Sequence, residues 1–287
     1  MGAVIHEGGS IGKLVVRLIR SGFSSKHYYK SMNMALYHLR DEYTMLHYPL
    51  YKDIDDDFHK AQENLTNHCM SYVLPIEGRS VLEIGCGNGV QTKFISEKYR
   101  PGFITGIDIS RPNIAIANRE KQRRRIGNVF FLVDDAQRLK KVHDNSFEVV
   151  INIESAFHYP DKQAFLREVY RVLAPGGRFL IADILKSDVS DSEKRGRFTN
   201  RMSLNHWTLR EYKKGFEEAG LKVEATDDLT PKVIDGFRNY RSYLRHLKKK
   251  GMLNSLAFRI FYVINVRLNI FLLKKRRRYM LFAGSRP

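Results

Sequence analysis

Cysteine is scarce in this chain of 287 residues: only Cys69 and Cys86 occur, the second inside a glycine-rich turn where a disulfide would obstruct ligand access. That excludes a disulfide-built extracellular scaffold and leads to the expectation of a reduced, cytoplasmic setting. Long unbroken apolar runs are also missing. The stretch 11–19 is interrupted by Lys13 and Arg17 and is too short to span a bilayer, and neither a signal-peptide cleavage pattern nor a myristoylation signal is expected near Met1-Gly2. Acidic residues are absent from Gly236 to Pro287, a segment with 14 Lys or Arg that carries most of the net charge of +18. Such an excess attracts nucleic acid or anionic lipid headgroups, screened by salt.

What is present is apolar material in short, regularly spaced pieces. With 43% hydrophobic residues, 15 Tyr and 17 Phe, the chain can bury a sizeable interior, so wholesale disorder is excluded and one dominant core is expected. The runs 81–84, 103–109, 129–133, 147–153 and 179–184 are short, apolar and often β-branched, as buried parallel strands are. Between the last two, Phe165, Leu166, Val169, Tyr170 and Leu173 share one face of a helix over 162–173, which Pro175-Gly176-Gly177 should end. Thr208-Leu209-Arg210-Glu211 has capping-box spacing, so a helix starts there, Gly220 stops it, and strands follow at 221–225 and 279–283. This alternation predicts a Rossmann-like, doubly wound α/β domain over 74–287. Residues 1–73, Tyr- and His-rich with an acidic break at Asp53 to Asp57, are expected to form a helical cap on the substrate side. The polar stretch 186–194 predicts a loop over the sheet edge.

Val81-Leu82-Glu83-Ile84-Gly85-Cys86-Gly87-Asn88-Gly89 is the most informative stretch: a strand runs into Gly85, Gly87 and Gly89, then into a helix. Glycines admit positive φ and close backbone approach, and a helix N-terminus favours a carboxylate or phosphate. A nicotinamide turn would place glycine at the sixth position of G-x-G-x-x-G, which here is Val90, and no clear Tyr-x-x-x-Lys pair follows the fourth strand. With Glu83 two residues ahead of the first glycine, the stretch resembles motif I of the class I S-adenosylmethionine-dependent methyltransferases, a resemblance that extends over roughly 81–287. It implies a seven-stranded sheet with its last strand antiparallel and S-adenosylmethionine as cofactor. The methionine moiety would lie at Gly85, Gly87 and Gly89, with Glu83 supporting the loop or the amino group. Asp108 ends the second strand where a carboxylate can accept both ribose hydroxyls, the role the family assigns there; a capping Asp is the competing reading. In Asp134-Asp135-Ala136 the resemblance gives Asp135 to the adenine amino group with Ala136 beside it, against a simple Asp turn.

Asn152-Ile153-Glu154-Ser155-Ala156-Phe157-His158-Tyr159 leaves the fourth strand at the end that faces the ligand crevice, which puts Asn152 beside the cofactor. Methyl transfer from a sulfonium is an in-line displacement that needs alignment, and a hydroxyl acceptor must also lose its proton. His158 can take it near neutral pH. The segment resembles the Glu-Ser...His-x-Pro-Asp stretch of O-methyltransferases acting on macrolide and indolocarbazole sugars, whose His corresponds to His158. Asp183 matches an acidic residue of those families and is expected to orient the imidazole. Some of those enzymes carry two adjacent histidines, where this chain has Phe157 first. Sterol and tocopherol C-methyltransferases share the scaffold, so C- or N-methylation of a sterol, quinone or phospholipid stands beside O-methylation of a lipophilic small molecule, and a non-catalytic nucleoside-binding subunit beside an enzyme. No metal site is expected.

The stretch 252–273 is largely apolar but holds Arg259 and Arg267, between Lys248-Lys249-Lys250 and Lys274-Lys275-Arg276-Arg277-Arg278. Two arginines in a bilayer core are costly, whereas an interfacial helix keeps them among headgroups. A basic amphipathic insertion over 231–278 is therefore expected before the last strand. Either its part 248–278 meets an anionic membrane surface, or Ala257, Ile260, Phe261, Ile264 and Leu268 cover the acceptor pocket, or both. Nucleic acid is a weaker partner, because its binding tails interleave charge with polar or stacking residues. Oligomeric state is not legible.

Overall fold

In the central strands alternate side chains point to opposite faces, and both sets are apolar, so the sheet must be covered on both sides. On β5, for instance, Leu180, Ala182 and Ile184 enter the core on one face while Phe179, Ile181 and Leu185 enter that on the other. The structure is a computed structural model that describes residues 43–53, 55–187, 204–238 and 256–287. The chain runs α1 (Phe58–Met70), β1 (Ser80–Ile84), α2 (Val90–Tyr99), β2 (Phe103–Asp108), α3 (Arg111–Arg124), β3 (Val129–Val133), β4 (Phe147–Ile153) and a 3-10 turn (Ala156–His158). It continues as α4 (Lys162–Val172), β5 (Leu173–Lys186), α5 (Leu209–Glu218), β6 (Lys222–Asp228), α6 (Thr230–Arg238), α7 (Leu256–Lys275) and β7 (Arg277–Ser285). One seven-stranded sheet results, ordered β3-β2-β1-β4-β5-β7-β6. It is parallel throughout except that β7 runs antiparallel to both of its neighbours. This is the Rossmann-like class that the alternation predicts.

Local chemistry sets the helix starts. Asp161 caps α4 by accepting from Ala164 N at 2.8 Å. Thr208 and Glu211 form the expected reciprocal capping box on α5. The acidic break at 53–57 is also capping material: Asp57 accepts from Lys60 N, and Asp56 gathers Lys52 N, Asp53 N and Asn64 Nδ2. Helices α4 and α5 cover one face, and α1, α2, α3, α6 and α7 the other.

Three boundaries differ from expectation, each for a tertiary reason. Strand β5 begins at Leu173 rather than near 179, absorbing Pro175-Gly176-Gly177, because the chain after β7 reaches back along it: Gly176 N donates to Arg286 O and Arg286 N to Gly177 O. The cap expected over 1–73 divides. Helix α1 is a layer of the domain, with Leu65, Cys69 and Met70 fully buried in the core, and residues 43–51 form the part that reaches the ligand end. Residues 1–42 and 188–203, the latter holding most of the expected edge loop, lie outside the described residues. In α7 the inward face is Val266, Ile270 and Leu273, packed on the core, whereas Leu268, expected to cover the pocket, is 51% exposed. The side chains of Ala257, Ile260, Phe261 and Ile264 lie outside the described residues.

The aromatic cluster under β5 and β7 gives a stability test. Phe282, 1% exposed, stacks on Tyr212 at 5.1 Å and contacts Phe216 at 5.3 Å. We expect Phe282→Ala to lower the unfolding free energy by about 3–5 kcal/mol, measured by chemical denaturation.

Candidate cofactor and acceptor site

Strand order reverses between β1 and β4, and the crevice outside their carboxyl ends is where a doubly wound sheet binds ligands. The turn leaving β1 has φ of +77° at Gly85, +56° at Gly87 and +77° at Gly89. L side chains rarely adopt that region. Space forbids them as well: a Cβ on Gly85 would run into Ser155, and one on Gly89 would come within 2.7 Å of Ala117 and Phe131. Bare backbone thus borders a cavity of about 670 Å³ at this end of the sheet.

Two carboxylates meet the turn. Glu83 is 2% exposed, and burial pushes its carboxyl up to about 7 against the opposing pull of the neighbouring polar side chains of Thr92 and Gln91. Its Oε1 accepts from Gln91 Nε2 at 2.8 Å, while its Oε2 has no partner among the described residues. A buried lone oxygen of this kind is costly unless a ligand donor meets it. Asp108 ends β2; its Oδ2 accepts from Gly87 N at 3.0 Å and its Oδ1 from Ser110 N at 2.7 Å. Burial raises its pKa, and those two N–H groups oppose the rise. The Asn113 side chain also acts on this carboxylate, which as a whole retains capacity for a further donor. Asp135 Oδ1 accepts from Gln137 N and Gln137 Nε2, both at 3.0 Å, so the turn reading holds and leaves Oδ2 for a ligand. Glu83, Gly85, Gly87, Asp108, Asp135 and Ala136 all line the cavity.

The tip of β4 is built differently from expectation. Gly89, Asn152 and Asp183 do not line the cavity; they shape what does. Gly89 starts α2 with packing too close for a side chain. Asn152 is fully buried and its Nδ2 donates to Ile84 O, Ser155 Oγ and Tyr159 Oη at 2.7 to 3.1 Å, pinning the glycine turn to the post-β4 segment. Asp183 is directed at the backbone of the Ala156–His158 turn rather than at the His158 imidazole. Its Oδ1 accepts from Phe157 N at 2.9 Å, its Oδ2 from Tyr212 Oη at 2.5 Å, and Lys162 Nζ lies 3.8 Å away.

His158 itself faces the cavity, its ring 4.3 Å from that of Phe157. Phe157 stacks at 5.6 Å on His206, whose pKa burial drives down to about 3 and whose Nδ1 donates to Ile184 O. Lys162, fully buried, supports the same turn by donating to Ala156 O and Asn205 O; burial lowers its pKa to about 8 against the pull of Asp183.

Two cavity residues escape sequence reasoning. Glu154 has left-handed backbone at φ +51°, and its Oε1 accepts from Tyr48 N at 2.6 Å, across 106 residues of chain. Burial pushes it up to about 8. His47 reaches the cavity from the segment 43–51, and burial holds it near 4, hence neutral. A glutamate beside a predicted site residue is the only trace of the first in the sequence; nothing local signals the second.

A family model for a methyltransferase domain matches residues 76–253, more than half of the chain, and the protein belongs to that family. The cofactor of the family is S-adenosylmethionine. Over 116 residues the chain is 39% identical to a fatty-acid O-methyltransferase of Mycolicibacterium smegmatis, a match that covers 40% of this chain and 41% of that protein. It is 26% identical to erythromycin 3''-O-methyltransferase of Saccharopolyspora erythraea over 71% of this chain and 69% of that one. The chain thus spans less than half the length of the first of these curated relatives. Among solved structures, geranyl diphosphate C-methyltransferase from Streptomyces coelicolor A3(2), in complex with S-adenosyl-L-homocysteine, superposes with a TM-score of 0.71 at 16% identity over 92% of this chain and 96% of that one.

The observed residues fit this cofactor: a side-chain-free turn, an unsatisfied buried carboxylate oxygen for an ammonium, and Asp108 at a strand tip for hydroxyls. We expect Gly85→Ala to abolish S-adenosylmethionine binding in calorimetry, since the new methyl meets Ser155 in a disfavoured backbone region. Raised carboxyl values also fix a sign. Glu83 and Glu154 bind protons in the folded apo protein at pH values where the unfolded chain has released them, so their contribution is complete below about 4.5 and is lost as pH rises through about 7 and about 8. The apo melting temperature should therefore fall across that window, and Glu154→Gln should flatten the upper part of the fall in thermal scans.

Proposed function

We propose that the protein transfers the methyl group of S-adenosylmethionine to a hydroxyl of a lipophilic small molecule, with His158 as the base. The observation that carries this reading is that one cavity is lined both by Gly85, Gly87, Glu83 and Asp108 and by His158 and Glu154. Bound there, the cofactor supplies an electrophilic methyl on a positively charged sulfur. Glu83 Oε2 would receive its ammonium, the Gly85 to Gly87 backbone its carboxylate, Asp108 the ribose hydroxyls, and Asp135 with Ala136 the adenine.

The remaining work falls to the chain. His158 removes the acceptor proton, and a general base of this kind contributes about 10²–10⁴-fold. Asp183 and Lys162 act as positioning residues, holding the Ala156–His158 turn by its backbone. Glu154, protonated near neutral pH, offers the acceptor a hydrogen bond without adding a negative charge opposite the leaving proton. Met45, Leu46, Ile107, Ile109 and Ile153 also line the cavity and favour an apolar acceptor body. The fatty-acid and macrolide O-methyltransferases matched above support both the oxygen and the lipophilic character. The geranyl diphosphate relative by fold supports the other reading, transfer to carbon, in which a π-system needs no base before attack.

Incubating a lipid and metabolite library with isotopically labelled methyl donor, then locating the label by mass spectrometry, tests the proposal. A label on oxygen that falls about 10²–10⁴-fold in His158→Ala, with cofactor binding retained, is the expected outcome. A label on carbon or nitrogen, or a fully active His158→Ala, overturns it.

A further inference from the structure

Helix α7 carries two opposed faces. Val266, Asn269, Ile270 and Leu273 follow one stripe at spacings of three and four, and on it Val266 and Leu273 are each 4% exposed against the core. The opposite stripe holds Arg267, Leu268, Phe271, Lys274 and Lys275, all exposed, with Leu268 at 51% and Phe271 at 49%. Two large apolar side chains thus stand in water, ringed by cations. Arg278 extends the exposed charge past the helix end, and the segment from Gly236 to Pro287 holds no Asp or Glu of its own. A solvated helix face gains nothing from Leu and Phe at its centre. An anionic lipid surface accepts both parts, apolar side chains below the headgroups and Lys and Arg among them.

We propose that this face of α7 docks the protein on an anionic bilayer surface, lying in the interface without crossing it. Among the described residues no helix is long and apolar enough to span a membrane. The tether to the fold gives an independent reason: Arg277, one residue beyond Arg276 at the helix end, pairs with Lys186 in the central sheet, and Leu273 is locked in the core, so the C-terminal turn cannot enter a bilayer without unpairing β7. Nucleic acid is disfavoured because Leu268 and Phe271 would remain in the middle of the contact without a base to stack on Leu268.

The inward stripe of the same helix is linked to the cavity. Asn269 Oδ1, on the inward stripe, accepts from Tyr48 Oη at 2.8 Å, and Tyr48 N donates to Glu154 in the cavity. A membrane-dissolved acceptor would therefore reach the site from the surface on which the enzyme sits. That second step rests on the reading of the cavity as a lipophilic-acceptor site; the docking does not.

The test uses the full chain and sedimentation with vesicles of phosphatidylcholine alone or mixed with phosphatidylglycerol, at low and high salt. Binding to the mixed vesicles alone, weakened by salt, is expected. Lys274→Gln with Lys275→Gln should cost about fivefold per charge at low salt. Leu268→Ser with Phe271→Ser should cost at least about tenfold at either salt, because it removes the inserted apolar area. Both pairs should leave the melting temperature and calorimetric S-adenosylmethionine binding unchanged. No binding to anionic vesicles, equal binding to neutral ones, or full binding by the serine pair overturns the docking. Vesicle binding by a protein that methylates no lipophilic compound keeps the docking and removes only the acceptor route.

Discussion

Everything at the ligand end depends on how the turn after β1 is held. Asp108 takes the Gly87 N–H from one side, and Asn152 donates to Ile84 O from the other. These two contacts come from the strands flanking β1, so the turn is clamped across the point where the sheet reverses its order. The glycines make the conformation accessible; the clamps select it. Loss of the first would leave the Gly87 N–H without its partner, and loss of the second would leave Ile84 O only the longer contact from Ser155 Oγ at 3.3 Å.

The same construction governs the chemistry beyond the turn. Methyl transfer needs alignment more than it needs functional groups, and alignment here is a matter of backbone. The Ala156–His158 turn hangs from Asp183 by the Phe157 N–H and rests on Lys162 through Ala156 O. The Asp183 and Lys162 charges sit 3.8 Å apart, both fully buried, and each offsets the other's desolvation. An ion pair outside the cavity lining thus holds the turn that carries the imidazole.

Burial also decides which groups are charged. Glu83 and Glu154 are raised toward neutrality, so the apo cavity holds less negative charge than its sequence suggests. An ammonium brought to Glu83 would restore its ionised form with release of a proton. On the outside the opposite logic applies, with α7 leaving its cations in water beside two exposed apolar side chains.

Much of this was legible in the residues. Apolar β-branched runs specified β1 to β4 nearly to the residue, since a strand buried on both faces leaves little freedom in composition. The glycine turn with Glu83, and Asp108 after β2, were legible because ligand-facing backbone tolerates few side chains. The roles of Asp183 and Asn152 were not, because a carboxylate or amide at a strand end reads alike whether it faces a ligand or a neighbouring peptide group. Glu154, His47 and Lys162 became visible only when segments far apart in sequence met: Tyr48 with Glu154, the segment 43–51 with the cavity, and Asn205 with Lys162. The extent of β5 and the inward stripe of α7 likewise followed from partners, since hydrogen bonds to Arg286 and packing against the core are properties of the assembled sheet. Sequence by itself determined the layers and the bare turn, through periodicity and sterics; tertiary structure decided which polar groups face the ligand, because their protonation and direction depend on neighbours that are distant along the chain.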